Sequence, residues 1–298
     1  MILVYFLILV LLQVNSNYAV DEYMFIGGKV SKSDVDLVEF PLNLEYMEAE
    51  FFLWGSLGHG LDKLAPELAD AVVPEVNTLS RLTSIRYFMF EVVRNGAIKD
   101  TVAGFPRPLL NLSRESFATV MNDAFGHPLE PSFDPYANDI NYLLASYVIP
   151  YVGLTGYVGA NPKLHSPTAK RLVAGLLGVE SGQDAVLRAL LYERGKENVE
   201  PYGITVTEFT NRISELRNKL GRHGNKDEGL KVKTKVGAEG KIQGNILAGN
   251  KYSLSYDRTP EEILRIVYGS GKENKPGGFY PNGAEGRIAR SYLGHGGE

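Results

Sequence analysis

Residues 36–55 read DLVEFPLNLEYMEAEFFLWG, and this stretch decides the fold class of the chain. Apolar residues recur in it at steps of three and four, the spacing of the buried seam of a bundle helix. Glu45 and Glu48 lie beside that seam on a shared face, where carboxylates are costly to bury unless a partner such as a metal ion satisfies them. The seam consists of Leu37, Phe40, Leu44, Met47, Phe51 and Trp54.

The composition is that of an ordinary globular protein, with 44% hydrophobic and 22% charged residues among 298. A net charge of −4 gives no electrostatic reason to expect nucleic acid or an anionic membrane as partner. The chain has no cysteine, which excludes disulfides, thiolate metal sites and cysteine nucleophiles. Any metal would need carboxylate, imidazole or carbonyl ligands, which suit iron, manganese or calcium.

Residues 1–19 are predicted to form a secretory signal peptide. The apolar run from Ile2 to Leu12 is too short to span a bilayer, and the small residues Ser16 and Ala19 offer cleavage positions. No Lys or Arg precedes the run, and a buried N-terminal helix is the alternative. We expect a secreted chain without a transmembrane anchor after signal removal, in which the sequon at Asn111 is a glycosylation candidate.

Four long helical runs are predicted, with a long connection in the middle. The connection, residues 102–138, holds five prolines around a short helical piece at 114–125. Two helices, a long crossover and two more helices is the connectivity of the ferritin-like four-helix bundle. The sequence therefore predicts an all-α fold. The four runs are a first helix from Ser33 or Asp34 to 55–60, a second at about 78–101, a third at about 140–158 and a fourth at about 166–194.

The predicted domain organisation adds a short arm and a C-terminal extension to the bundle. We assign residues 20–33 to the arm, 34–221 to the bundle domain and 222–298 to a loop-rich helical extension. Thr205 to Glu208 has the form of a capping box and predicts a helix to about Leu220, and a further short helix is predicted at 259–268.

A ferritin-like dinuclear site needs a Glu from each of two helices and a Glu-x-x-His from each of the other two. Both imidazole positions are filled by other residues here, and the third helix contains no Glu. The candidate site positions are Glu45 or Glu48 on the first helix, Glu91 and Arg94 on the second, Pro150 on the third, and Glu180 and Gln183 on the fourth.

The charges favour a degenerate site over a metal centre. Carboxylates that face each other without a metal repel, and a guanidinium can neutralise one or two of them through a forked ion pair. An inward-pointing Arg94 would take both the place and the charge of a metal. We therefore assign no catalytic residue, metal or cofactor. The predicted polar cluster consists of Glu45, Glu91 and Glu180, bridged by Arg94, Gln183 and water.

The chain resembles the plant desiccation-related proteins, a family with a ferritin-like domain, over nearly all of residues 34–293. This resemblance implies a secreted stress protein of the cell wall or apoplast, associated with water loss and without an established catalytic reaction. The segments that carry it are EFPLNLEY at 39–46, GFPRPLL at 104–110, FDPYAN at 133–138, LLASY at 143–147, GVESGQDA at 178–185 and GGFYP at 277–281.

The first helix also resembles that of ferritin proper, in which an Asn-Leu-Glu stretch supplies a ligand and an aromatic residue follows seven positions later. That resemblance maps the ligand onto Glu45 and the aromatic residue onto Phe52, and so favours Glu45 over Glu48. Members of the desiccation-related family usually read Glu-x-x-His on the second helix, where this chain has Arg94.

The favoured function is a secreted, stress-associated protein that catalyses no reaction. One alternative is Fe or Mn held by Glu45, Glu91 and Glu180, with oxidase, peroxide-handling or metal-storage chemistry. Another is an interaction protein that forms homo-oligomers through the bundle surface. The sequence names no ligand.

We expect Arg94→Ala to lower the free energy of unfolding by about 3–5 kcal/mol, since removing one partner of a buried ion pair leaves an uncompensated charge. Urea denaturation of the two proteins measures the difference. A loss below about 1 kcal/mol is the range of exposed ion pairs and would mean that Arg94 lies on the surface.

Overall fold

The computed structural model describes residues 30–69, 75–76, 97–99, 101–231 and 246–294. The described part is mostly helical, which confirms the prediction of an all-α fold. The predicted signal peptide, most of the arm and nearly all of the second helix, with Glu91 and Arg94, lie outside the described residues. Residues 97–99 are helical and fall at the end of that predicted second helix.

The predicted first helix is two helices, α1 (Lys32–Glu39) and α2 (Leu42–Leu57). The break falls at Pro41, which has no N–H to continue the helical hydrogen bonds. The cap of α1 is Ser31, whose hydroxyl accepts from the Asp34 N–H, and not Ser33 or Asp34 as expected. The helix α2 ends at Gly58, in the left-handed conformation with φ 75°. Two single-turn helices follow, α3 (Leu61–Leu64) and α4 (Pro66–Ala69).

The crossover between the second and third bundle helices carries α5 (Arg114–Phe125), as the sequence predicts. A buried ion pair ties this connection to α2. The guanidinium of Arg107 pairs with the Glu50 carboxylate and lies 3.2 Å from a carboxylate oxygen of Asp62. Burial raises the pKa of Glu50, and the Arg107 charge offsets part of that rise.

The predicted third helix is also broken by a proline, into α6 (Asp139–Tyr147) and α7 (Pro150–Ala160). Pro150 cannot donate to the Ser146 carbonyl, which instead accepts from the N–H of Ile149 at 3.3 Å. Taken together, residues 139–163 are long and apolar enough to cross a membrane, but 78% of the apolar window is buried. Among the described residues this run is thus a core helix of the bundle.

The fourth bundle helix, α8 (Pro167–Glu193), begins at the predicted Ser166-Pro167 cap. Asp34 of α1 strengthens that start, since its buried carboxylate accepts the backbone N–H groups of His165 and Ser166. Burial alone would raise the pKa of Asp34, but these hydrogen bonds outweigh it and lower the pKa to about 2. Asp34, expected as a cap of the first bundle helix, therefore hydrogen-bonds to the backbone at the start of the fourth bundle helix.

In the described part of the chain, α8 is followed by three helices, α9 (Val206–Gly221), α10 (Pro260–Val267) and α11 (Arg287–Leu293), and the sequence does not predict the last of them. Thr205 caps α9, but the predicted capping box is incomplete because Glu208 pairs with Arg212 instead. The strands are two-residue pairs. They are β1 (Glu75–Val76) parallel to β2 (Asn111–Leu112), and β3 (Asn198–Val199) antiparallel to β4 (Ile204–Thr205).

The C-terminal extension is part of the main core. Buried ion pairs join it to the bundle, because the Asp227 carboxylate accepts from Arg217 at 3.1 Å and from Arg258 at 3.3 Å. The Arg258 guanidinium also donates to the hydroxyl of Thr155 on α7 at 3.0 Å. The extension places Ile263, Tyr268, Phe279 and Tyr280 in the main hydrophobic cluster.

The end of the extension closes on the first helices. The side chain of Asn43 exchanges two hydrogen bonds with the backbone of Glu285, at 3.0 and 2.8 Å. The phenol of Tyr280 donates to the Asn43 carbonyl at 2.8 Å, and Arg287 pairs with Asp36 of α1. The first helices and the end of the extension, more than two hundred positions apart in the sequence, are thus in direct contact.

Glycines on α7 set how closely the extension approaches the bundle. A Cβ added at Gly159 would lie 2.3 Å from the Arg258 carbonyl oxygen, and one at Gly156 would lie 2.7 Å from Ile263 Cδ1. Gly178 on α8 is exposed, and a Cβ there would meet nothing within 4 Å.

Replacing glycine by alanine should have opposite effects on stability at Gly178 and at Gly159. Gly178→Ala should raise the free energy of unfolding by about 0.5–1 kcal/mol, because alanine loses less backbone entropy in a helix. Gly159→Ala should lower it by about 1–3 kcal/mol, because backbone at 2.3 Å must shift to admit the methyl group. Urea denaturation of the two variants measures both changes, and equal effects would show that α7 and the extension are not packed as described.

Candidate functional site

Three buried acids lie together where α2, α7 and α8 meet, and we call them the carboxylate cluster. Glu45 and Glu48 come from α2, and Glu180 comes from α8. Their exposed fractions are 2%, 0% and 1%. The structure thus buries Glu48, for which the sequence favours a solvated or interhelix role, as fully as Glu45.

Gly153 on α7 is the point on which two of these acids converge. A Cβ at Gly153 would lie 3.5 Å from Glu48 Oε1 and 3.6 Å from Glu180 Oε1. The two carboxylates therefore face one place on the third bundle helix, which offers them no side chain. A methyl group at Gly153 would touch both carboxylates at ordinary van der Waals distance.

The third acid, Glu45, is held by a tyrosine. The phenol of Tyr157 donates to Glu45 Oε1 at 2.5 Å, and both residues are buried. Tyr157 lies one turn after Gly153, while Glu45 lies one turn before Glu48, so α2 and α7 run antiparallel along the cluster. A short hydrogen bond from a neutral donor to a carboxylate is a strong contact inside a protein.

The remaining predicted site positions are placed as follows. Gln183 lies one turn after Glu180 on α8 and is 8% exposed. Pro150 begins α7 and lies one turn before Gly153, the residue against which Glu48 and Glu180 lie. Glu91 and Arg94 lie outside the described residues, and their place in the cluster stays a prediction.

The sequence predictions did not include Gly153 or the hydroxyl of Tyr157 in the site. Glycine has no side-chain ligand atom, so no ligand spacing points to Gly153. The apolar periodicity of the third helix includes Tyr157, but it gives no sign that the hydroxyl meets Glu45. Its spacing of seven from Pro150 is the signal that places it on the same face as the proline.

The glycosylation candidate Asn111 lies in β2 and is half-buried. Its side-chain oxygen accepts from the backbone N–H of Ser113, whose own hydroxyl caps α5. Both polar ends of the sequon thus have structural partners in the folded chain, and glycosylation at Asn111 stays a prediction.

A small cavity of about 30 Å³ borders the cluster at Gly153 and Tyr157. Its walls are mostly apolar and include Leu44 of α2 and Ile263 of α10. That volume holds one or two water molecules and excludes an organic substrate. The cluster can therefore be approached from this cavity only by water-sized species.

The donor set decides whether a dinuclear metal centre fits. The five histidines, at positions 59, 127, 165, 223 and 295, all lie outside the four bundle helices as observed or predicted. Within the part of the chain that the structure describes, no three acidic or imidazole side chains enclose a cation position. The residues present thus do not fit a centre with two Glu-x-x-His pairs, although carboxylates converging at Gly153 suit a hard cation.

Two buried arginines of the extension and the crossover form ion pairs with acids outside the cluster. Arg258, which lines the cavity, pairs with Asp227, and Arg107 pairs with Glu50 and Asp62. Arg94 of the predicted second helix is the candidate counter-charge that the sequence offers for the cluster.

Comparisons with known proteins agree with this architecture. A family model described as a ferritin-like domain matches residues 33–193. The desiccation-related protein PCC13-62 of Craterostigma plantagineum is 58% identical over 267 residues, which cover 87% of this chain and 85% of that protein. The ferritin-like catalase Nec2 of Nesocodon mauritianus is 54% identical over 271 residues, covering 89% of this chain and 87% of the relative. No solved structure matches.

The carboxylate cluster lies inside the region matched by the family model, and both relatives extend across the bundle and the C-terminal extension. The chain therefore belongs to the ferritin-like domain family, as a desiccation-related ferritin-like protein of the plant type.

Proposed function

We propose that this protein is a secreted stress protein that acts without catalysing a reaction, and that its carboxylate cluster is retained as a structural element of the bundle. The proposal rests on the side chains available at the cluster, which among the described residues include carboxylates but no imidazole. The two positions where a dinuclear centre of this fold needs imidazole are Arg94 and Gln183 in this chain.

Burial and hydrogen bonding support a structural role for the cluster. Glu45 is fixed by Tyr157, and Glu48 and Glu180 are packed against Gly153 with less than 3% of any of these acids exposed. A redox metal is tuned by its ligands and by the groups that orient them, and imidazole is a principal means of tuning. A set of carboxylates without imidazole suits hard cations and offers fewer means of tuning a redox couple.

The apolar N-terminal segment supports secretion, and the 58% identity to a desiccation-related protein supports a role in water stress. A protein of this kind would serve outside the cell by binding to other molecules or surfaces.

A second candidate function is peroxide-handling chemistry on carboxylate-bound Fe or Mn. The observation that favours it is the 54% identity to a relative named a ferritin-like catalase. In this alternative the metal would be held by Glu48 and Glu180, with Glu45 and Glu91 as further carboxylates. The metal would supply electron transfer, while Tyr157 would hold Glu45 in place through its hydroxyl.

Metal content and peroxide consumption distinguish the two candidates. The mature chain is exposed to Fe(II) or Mn(II), desalted and assayed by plasma mass spectrometry, and hydrogen peroxide loss is then followed. We expect substoichiometric metal and no turnover. The Nesocodon relative, treated in parallel, serves as the comparison protein for both assays.

Stoichiometric Fe or Mn that is lost in Glu180→Ala, together with peroxide turnover, would overturn the proposal in favour of the second candidate. Glu193→Ala is the matched control, because Glu193 is an exposed acid at the end of the same helix. Metal lost equally from both variants would point to surface binding and leave the structural role standing.

Tyr157→Phe tests whether the cluster contributes to stability. Losing a hydrogen bond to a buried charged group should lower the free energy of unfolding by about 1.5–3 kcal/mol. Tyr252→Phe is the control, since Tyr252 is 70% exposed and its hydroxyl should contribute less than about 0.5 kcal/mol. Urea denaturation without added metal measures both, and equal losses would contradict a structural role for the Tyr157–Glu45 contact.

A further inference from the structure

A second concave site lies along α8, beginning at the residue after Glu180 of the carboxylate cluster. It is a cleft of about 480 Å³, within the range of small-molecule sites, between α8 and the segment 246–255 of the extension. Arg188 of α8 holds that segment in place, since its guanidinium donates to the Ile246 carbonyl and, at 3.0 Å, to the Glu228 carbonyl. The cleft is thus built by a fixed turn of the extension and a bundle helix.

Asp184 is the distinctive residue of this cleft. It lines the cleft yet is 4% exposed, and among the described residues its carboxyl has no hydrogen bond and no ion pair. Burial raises its pKa to about 6, against the opposing charges of Arg188 and Arg217. A buried carboxyl without a hydrogen-bond donor is costly, so the site favours a ligand that brings a donor.

The surroundings decide what kind of donor fits. Two buried guanidiniums, of Arg188 and Arg217, act on Asp184 through space, and Lys231 lies 5.4 Å from the ring of Tyr192 at the cleft wall. The Asp227 carboxylate, which pairs with Arg217, offsets part of this charge, but the three cations outnumber the carboxylates of Asp184 and Asp227 and disfavour a cationic ligand. A neutral hydroxyl group can donate to Asp184 without adding charge.

The walls combine hydroxyl groups with apolar faces. Ser181 of α8 and Ser255 of the extension line the cleft, beside Leu154, Leu247 and the half-exposed ring of Tyr192. Mixed walls of this kind suit a molecule with hydroxyls on its edges and C–H groups on its faces.

We propose that this cleft binds a neutral polyhydroxylated ligand, a sugar or polyol, with Asp184 accepting from one of its hydroxyls and Tyr192 contacting its apolar face. The cleft shares no lining residue with the carboxylate cluster, and the proposal does not depend on whether that cluster binds metal. It assigns a ligand class to a protein whose sequence names none.

Sucrose is the probe, and ligand-detected NMR titration of the full mature chain measures binding directly. Direct binding is needed because sucrose stabilises folded proteins in general by exclusion from their surfaces, so a raised melting temperature would prove nothing. Wild type should show saturable binding. Asp184→Leu should weaken it by about tenfold or more, as expected for a lost hydrogen bond to a charged group.

Ser181→Val is a second variant, at a partly exposed position where folding is not at risk, and it should weaken sucrose binding several-fold. Ser291→Val is its matched control, an exposed serine on α11, and should bind as wild type does. If Asp184→Leu fails to fold, the proposal is tested by comparing the sucrose binding of Ser181→Val with that of Ser291→Val.

Three outcomes would overturn the proposal. They are the absence of saturable sucrose binding, binding that survives the substitution at Ser181 unchanged, and displacement of sucrose by methylguanidinium at lower concentrations than by glycerol or glucose. The last result would identify the cleft as a cation site, with Asp184 acting as a charge.

Discussion

The structure depends on how closely other elements can approach the third bundle helix. Gly153 lies against Glu48 and Glu180, Gly156 accommodates Ile263, and Gly159 touches the backbone of residue 258. A side chain at either of the last two positions would collide with its neighbour. Three glycines at steps of three thus make one face of α7 flat enough to receive both the acids of the bundle and the extension.

Burial of charge follows from that close approach. With α7 flat, the acids of α2 and α8 lie deep in the fold, and the arginines that join the extension are equally buried, with Arg217 and Arg258 meeting at Asp227. A buried ion pair contributes little net free energy compared with an apolar contact, but separating its members is costly. These charges therefore specify the position of the extension more than they add stability.

The sequence predicted the elements whose signals are local. The Ser166-Pro167 and Thr259-Pro260 caps are such cases, because cap geometry involves only neighbouring residues. Breaks at Pro41 and Pro150 were missed because the apolar periodicity continues through them. At the site, donor spacing indicates Glu180 and either Glu45 or Glu48, and the resemblance to ferritin favours Glu45. The position of Gly153 depends on three helices meeting and has no local signal.

The contacts between the two ends of the chain bear on how the protein is made. Asn43 at the start of α2 takes its partners from Tyr280 and Glu285, and Asp36 takes its partner from Arg287. During vectorial synthesis the first helices emerge long before these residues do. The contacts that Asn43 and Asp36 make with the extension can therefore form only after nearly all of the chain has been synthesised, so the start of the bundle is completed last.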